Sequence, residues 1–220
     1  MVEFDDWKQY YQQILRSFNF DQDKDEQSAI LLSEVMQSPF LNISELEDLL
    51  YGRHVYIFGA HESVEAGIQF ILEEQIKGIF LAADGAITPM LKNGLQPDLI
   101  LSDLDGNAED LKYFNSKGVP IIIHAHGDNL DLVQRYGGQF KHSMGSTQSQ
   151  PFGHIQNFGG FTDGDRCVFT ADHFGALTIT LVGFQFDTVG SFSFSTMPEL
   201  KLQKLSWAKK LISLFEVEYL

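Results

Sequence analysis

Pro97-Asp98-Leu99-Ile100-Leu101-Ser102-Asp103-Leu104-Asp105-Gly106 is an apolar run that ends abruptly in two carboxylates at i and i+2. A short apolar run bounded by turn residues fits a strand buried on both faces, as in a parallel sheet. In an extended segment alternate side chains share a face, so Asp103 and Asp105 are expected to point toward one spot beyond the strand's end. Gly106 is expected to let the backbone turn away.

On either side of this stretch, short apolar runs alternate with amphipathic ones. Residues 54–58, 78–83, 98–102 and 119–124 are predicted strands, and 63–74, 88–93, 107–117 and 129–136 predicted helices. Four buried strands with short crossovers specify an α/β fold with a doubly wound, mostly parallel sheet flanked by helices. Ligands of such sheets sit beyond the carboxyl ends of the strands. Before the sheet, residues 1–50 read as a helical N-terminal section. Phe4, Trp7, Tyr11, Ile14, Leu15 and Phe18 recur at spacings of three and four, a second helix runs through Ile30 to Met36, and Ser44 with Glu47 resembles a capping box. Residues 137–166 are rich in Gly, Ser, Gln, Asn and Phe and show no sustained period, which marks a functional loop region or a misread element. Order is expected again at 168–170, in a helix over 172–176 and in a strand over 177–182. A final helix follows Pro198, with Leu202, Leu205, Ala208, Ile212 and Phe215 on its inner face and its lysines mostly outside.

Composition removes several classes of function. A net charge of −15, from 30 acidic and 15 basic residues, repels nucleic acid and anionic lipid surfaces, so neither is an expected partner. Cys167 is the only cysteine, which excludes an internal disulfide and suits a reducing compartment. The opening residues are acidic and amphipathic where a signal peptide is basic and then apolar, and no run approaches the ~20 apolar residues of a membrane span. The expected location is the cytoplasm.

The predicted strands end in Gly59-Ala60-His61, Asp84-Gly85, Asp103 and Asp105, and His124-Ala125-His126-Gly127-Asp128-Asn129. Parallel strands place these ends along one sheet edge, so several carboxylates would converge on one crevice. Carboxylates that close repel unless some are protonated or a cation sits among them. A hard divalent ion held by oxygen ligands is the natural occupant, and Mg²⁺ suits that donor set better than the transition metals that His124 and His126 would favour.

A second cluster, Asn157-Phe158-Gly159-Gly160-Phe161-Thr162-Asp163-Gly164-Asp165-Arg166, combines paired glycines, two aspartates and an arginine. A turn of this kind exposes N–H groups that can hold phosphate oxygens, and Arg166 can add a bidentate grip. The plainer reading is a tight turn with an internal Asp–Arg pair. The chain has no Walker A sequence, no G-x-G-x-x-G spacing and no G-x-S-x-G nucleophile elbow. Chemistry based on positioning a metal-bound polyphosphate, as in phosphoryl or diphosphoryl transfer, needs none of these.

These pieces, together with Ala83-Asp84-Gly85-Ala86 and Thr147-Gln148, carry a resemblance. The sequence resembles the archaeal family of 6-hydroxymethyl-7,8-dihydropterin pyrophosphokinases and is distantly similar to thiamine pyrophosphokinase. The resemblance spans roughly residues 55–183. It implies that residues 51–220 form a Rossmann-like catalytic domain that transfers diphosphate from ATP, as co-substrate, to the hydroxymethyl group of a reduced pterin. AMP and the pterin diphosphate would be the products, in folate or tetrahydromethanopterin synthesis. It also implies that Asp84, Asp103, Asp105 and Asp128 hold Mg²⁺ and the ATP phosphates. Asp103, Asp105, Asp128 and His126 would be the catalytic set. Asp84, Gly85, Thr147, Gln148, Gly160, Asp163, Asp165 and Arg166 would contact the nucleotide, with Phe158 or Phe161 stacked on a flat ring. Asp131 fits a paired-aspartate spacing with Asp128. One departure is Gly59-Ala60-His61-Glu62-Ser63, where relatives carry a Gly-Pro-Ser type of turn; His61 would narrow it, while Ser63 is expected to cap the next helix. Two alternatives remain at this level: a nucleotide-sugar transferase similar to flagellin sugar-transfer factors, which are generally longer chains, and a nucleotide- or metal-binding module without catalysis. The sequence leaves oligomeric state open, a homo-oligomer included.

Overall fold

The computed structural model describes residues 4–193 and 197–220; for residues 4 and 5 it describes the backbone alone, so the packing expected of Phe4 lies outside it. Among the described residues the strands are β1 His54–Phe58, β2 Ile79–Ala83, β3 Leu99–Ser102, β4 Ile121–Ala125, β5 Ser143–Thr147, β6 Ile155–Gln156, β7 Thr178–Val182 and β8 Glu218–Tyr219. They form one sheet in the order β6-β5-β4-β3-β2-β1-β7-β8, every neighbour parallel. The helices are α1 Phe4–Phe18, α2 Gln22–Val35, α3 Ile43–Leu50, α4 Val64–Glu73, α5 Ile87–Lys92, α6 Ala108–Ser116, α7 Leu130–Tyr136, α8 Asp163–His173 and α9 Pro198–Ile212. None of the described helices is long and apolar enough to cross a membrane.

Alternation along the strands builds two cores. Ile121 and Ile123 of β4 face one side with Ile100, Ala82, Phe58 and Val182, against α2, α4, α5 and α6. Ile122 faces the other with Leu99, Leu101, Leu81, Val55 and Ile57, against α3 and α8. The N-terminal helices are built into this arrangement. Ala29 and Leu32 of α2 complete the first core, Leu46 and Leu50 of α3 complete the second, and Trp7, Tyr11 and Ile14 of α1 pack on Phe161, Phe169 and Leu211 in a third. Each large aliphatic side chain so buried contributes ~1.5–3 kcal/mol of transfer free energy.

The structure departs from expectation where composition hides burial. Residues 137–166 contain β5, β6 and the start of α8 rather than irregular chain. β5 is buried along its whole length although it reads Ser143-Met144-Gly145-Ser146-Thr147, because its hydroxyls find partners inside. Ser146 Oγ, for example, lies 3.3 Å from the Ile123 carbonyl oxygen and 3.0 Å from His124 Nδ1. The order expected at 168–170 and the helix expected at 172–176 are one helix, α8, followed by Gly175 at φ +69°. The cap of α3 is Asn42 with Glu45, two residues before the predicted Ser44–Glu47 pair. Ser63 makes no side-chain cap; its hydroxyl is 2.9 Å from His61 Nδ1. In α9, Leu202 is exposed, and two lysines face inward.

Candidate active site

The sheet order reverses between β1 and β7: connections from β1 run toward β2, and β7 returns on the other side. Doubly wound sheets open a crevice at such a switch point. Here it is walled by backbone. Gly59 donates its N–H to the Val182 carbonyl at 2.8 Å, and His61 donates its own to the Gly183 carbonyl at 3.2 Å. A side chain at Gly59 would press on the Gly183 carbonyl and the Phe184 ring. Phe184, Phe186, Phe192 and His61 complete this narrow slot. Beside it, over the ends of β3 and β4, a larger polar lobe of about 530 Å³ is lined by Asp103, Asp105, His126, Asp128, Gln148, Arg166 and two lysines of α9. Asp105, Thr162, Asp163 and Lys201 line both spaces and mark the junction between them.

Asp84, Asp103 and Asp105 each bring a carboxylate oxygen within 4.8 Å of the others. They converge by a different route from simple strand alternation. β3 stops at Ser102, and Leu104 adopts φ +69°, so a left-handed residue turns both flanking carboxylates inward. That conformation costs a leucine ~1–2 kcal/mol. It is held by burial of the Leu104 side chain in the first core and by its N–H donating to Ser102 Oγ at 2.9 Å. Gly106 is needed for a close approach rather than for a turn: a Cβ there would overlap Asp84 Oδ1. Asp84 Oδ2 accepts from Ser102 Oγ at 2.6 Å and from the Gly106 N–H at 3.2 Å. Its Oδ1 is buried with no partner.

The electrostatics of this group are strained. Burial, with repulsion from Asp103, pushes Asp84 up to about 7. Asp105 lies at the exposed side of the group, yet partial desolvation of its carboxyl and the Asp103 charge raise it too. Burial works against ionising Asp103 too, but the hydrogen bond and charge of His126, a hydrogen bond from Asp105 and the Arg166 charge outweigh it and hold Asp103 low. His126 Nε2 lies 3.4 Å from Asp103 Oδ2, and its Nδ1 accepts the Asp128 N–H at 3.3 Å. Nδ1 as acceptor places the ring hydrogen of neutral His126 on Nε2, facing Asp103, which leaves no free ring nitrogen for a metal or a substrate proton. His124 is buried, and burial keeps its pKa well below the usual histidine range. The donor set is therefore three carboxylates, one with an orphaned oxygen, which fits a hard divalent cation.

The remaining predicted residues separate into those that reach the cleft and those behind it. Asp128 is exposed on the rim of the polar lobe, outside the three-carboxylate group. Asp131 points to solvent from α7. Gly85 lies on the slot wall, where a Cβ would meet Ala60 and the Phe192 carbonyl. Gln148 and Arg166 line the polar lobe, and Arg166 donates to Asp163 Oδ1 at 3.1 Å. Burial and the Asp103 charge raise Asp163 well above the usual carboxylate range despite that arginine. Thr147 is buried beside Ser149. Gly160, at φ +91°, passes against the Arg166 backbone. Asp165 completes the capping box of α8 with the N-cap Thr162: its Oδ1 accepts the N–H groups of Phe161 and Thr162, and the Gly159 N–H is taken by Asn157. Those three donors of the glycine-rich turn are thus spent within it. Phe158 packs in the second core against Phe174, while Phe161 lines the polar lobe.

Two residues missed in the sequence, Lys201 and Lys204, face the polar lobe from α9. Lys204 lies 5.6 Å and 5.7 Å over the Phe20 and Phe161 rings, and burial lowers its pKa. Their signal was the i, i+3 spacing, which puts both on one helix face.

The arrangement defines the class: a doubly wound α/β protein with an acidic, cation-flanked cleft at the carboxyl edge of its sheet. The solved structure of the MAf glycosyltransferase from Magnetospirillum magneticum AMB-1 shares that fold, with a TM-score of 0.51 and 15% identity over 90% of this chain and 35% of its own. The sequence is 36% identical to the 6-hydroxymethyl-7,8-dihydropterin pyrophosphokinase of Methanocaldococcus jannaschii over the full length of both, and 34% identical to that of Pyrococcus furiosus over 96% of this chain and 93% of the relative. Residues 31–190 match the family described as 6-hydroxymethylpterin diphosphokinase MptE-like. The chain belongs to that family.

Proposed function

We propose that this protein transfers a diphosphate from ATP to the hydroxymethyl group of 6-hydroxymethyl-7,8-dihydropterin with the help of Mg²⁺. The observation that carries the reading is the placement of three convergent carboxylates where a large, cation-lined lobe meets a narrow aromatic slot. The polar lobe has the size for a triphosphate, whose charge a metal on the carboxylates and the three cations of the wall would offset; the slot, walled by glycine backbone and Phe184, Phe186 and Phe192, suits a flat heterocycle. The names of the archaeal relatives support the pterin substrate and the diphosphate transfer.

Asp84, Asp103 and Asp105 would hold Mg²⁺, which supplies charge neutralisation for the polyphosphate. Arg166 and Lys204 flank the same lobe and offset phosphate charge that the metal leaves. Lys201 sits at the junction, where the transferred group must pass. The pterin hydroxyl oxygen attacks the β-phosphorus in line, and the bond from that phosphorus to the α–β bridging oxygen breaks, its electron pair leaving with AMP. The hydroxyl proton passes to Asp105 or Asp163, the two carboxylates lining both spaces. A coupled assay for AMP release tests this directly. Release that requires both Mg²⁺ and the hydroxymethyl-dihydropterin is expected; release equal to a control without pterin overturns it.

A further inference from the structure

Asp25 of α2 is 2% exposed, yet it belongs to a helix far in sequence from the cleft. Its carboxylate collects three donors from three separate elements. Oδ1 accepts the Gly127 N–H at 2.7 Å, and Oδ2 accepts the Tyr11 hydroxyl at 2.6 Å and Gln148 Nε2 at 2.9 Å. Gly127 lies between His126 and Asp128, in the turn that presents both to the polar lobe. Gln148 Oε1 faces Arg166 Nη2 at 3.5 Å, and Arg166 in turn holds Asp163. A second tie runs alongside the first. Ser28 of α2 donates to Asn129 Oδ1 at 3.1 Å, and Asn129 Nδ2 donates to the carbonyls of Asp103 and His124, each at 2.7 Å.

We infer that Asp25 is a positioning residue for the reaction: it fixes the His126–Asp128 turn and the Gln148–Arg166 pair on the polar lobe, so the N-terminal helices form the back wall of the active site. The inference rests on the reading of that lobe as the site for ATP phosphates. A carboxylate suits the post because all three partners are donors and it offers only acceptors. Asparagine in its place sets an NH₂ group against at least one of those donors and loses the charge-assisted bonds. Gly127 shows how tightly the turn is seated, since a Cβ there would come within 2.8 Å of Lys24 Cβ.

The test compares Asp25→Asn with Tyr11→Phe in the full chain. The Tyr11 hydroxyl bonds Asp25 but does not reach the cleft, so Tyr11→Phe is expected to lower Tm while leaving kcat and both KM values unchanged. Asp25→Asn is expected to raise KM for ATP and lower kcat, together by about 10²-fold in kcat/KM, the scale of a 1 Å misplacement, with KM for the pterin unchanged. Gly127→Ala, which forces the turn off α2 with Asp25 intact, should reproduce that kinetic pattern and decides the matter if Asp25→Asn does not fold. Kinetics that match Tyr11→Phe at equal loss of Tm, or an equal loss toward both substrates, overturn the inference. Should the wild-type chain release no pterin-dependent AMP, the functional reading fails separately. Calorimetric binding of Mg²⁺-ATP then decides the positioning role: weakening in Asp25→Asn but not in Tyr11→Phe supports it, and equal binding in both overturns it.

Discussion

The ends of β3 and β4 carry the same side chain in opposite circumstances. At the end of β3, Asp103 and the outward-lying Asp105 are drawn against the fully buried Asp84 by a strained leucine turn, with desolvation and mutual repulsion raising two of the three. At the end of β4, Asp128 stands exposed on a turn whose backbone is anchored from behind by Asp25 and Asn129. One region spends folding free energy to crowd charge; the other spends hydrogen bonds to place a turn and leaves its carboxylate in water. The difference teaches that an aspartate at a strand end is informative only with its neighbours: Asp105 and Asp128 are both exposed, and only Asp105 shares its spot with two other carboxylates. Crowded carboxylates call for a cation, whereas an isolated, solvated one needs nothing.

The contrast is broken most severely at Asp105. Asp105→Asn should cut turnover by at least about 10²–10³-fold, the scale seen when one preorganised electrostatic group is removed, with Tm of the metal-free chain unchanged or higher. A matched loss of Tm and activity would make Asp105 a structural cap and erase the distinction between the two strand ends. Next in size is Lys201→Met, expected to lower kcat by about 10²-fold with KM for either substrate changed far less, because the lysine lines both spaces at their junction. Steady-state kinetics with each substrate varied in turn would show this, and a pure KM effect would move the transfer point elsewhere.

A third measurement reads the crowding itself. Between the unfolded value of 3.8 and about 7, folded Asp84 keeps a proton that the unfolded chain has released. The metal-free chain therefore loses stability from this group as pH rises through that window. Mg²⁺ competes with the proton, so its increment in Tm should be larger at about pH 8 than at about pH 6. Equal increments, by calorimetry at both pH values, would mean that the β3 carboxylates are no more metal-seeking than Asp128. The smallest effect belongs to Asp128→Asn, where an exposed charge contributes ~0.2–1 kcal/mol and activity should fall less than about tenfold. A loss as deep as that of Asp105→Asn would put both strand ends on the same footing.

Much of this was legible in the chain. Strands β1 to β4 are apolar runs with core residues on both faces, and Asp84 and Asp103 each follow one directly, with Asp105 two residues on, so pattern and place coincide. β5 escaped because serine, glycine and threonine look like loop residues until their hydroxyls are seen to bond within the sheet. The convergence of Asp103 and Asp105 was foreseen for an incomplete reason, since no sequence period announces a leucine at φ +69°. Lys201, Lys204 and Asp25 were missed for another reason, since a shared helix face does not say what that face meets. Their helices lie far along the chain, and only tertiary packing brings them to the cleft.

Loops at active sites usually open at a lower free energy than the cores that carry them. Leu104 abolishes that ordering at the β3 turn, because the residue between two site carboxylates is itself buried in the main core. Its amide, bonded to Ser102 Oγ, is therefore expected to exchange with solvent as slowly as the amides of that core. On heating, this protein should therefore keep its carboxylate geometry until the fold itself gives way, losing site and scaffold in one event rather than in sequence.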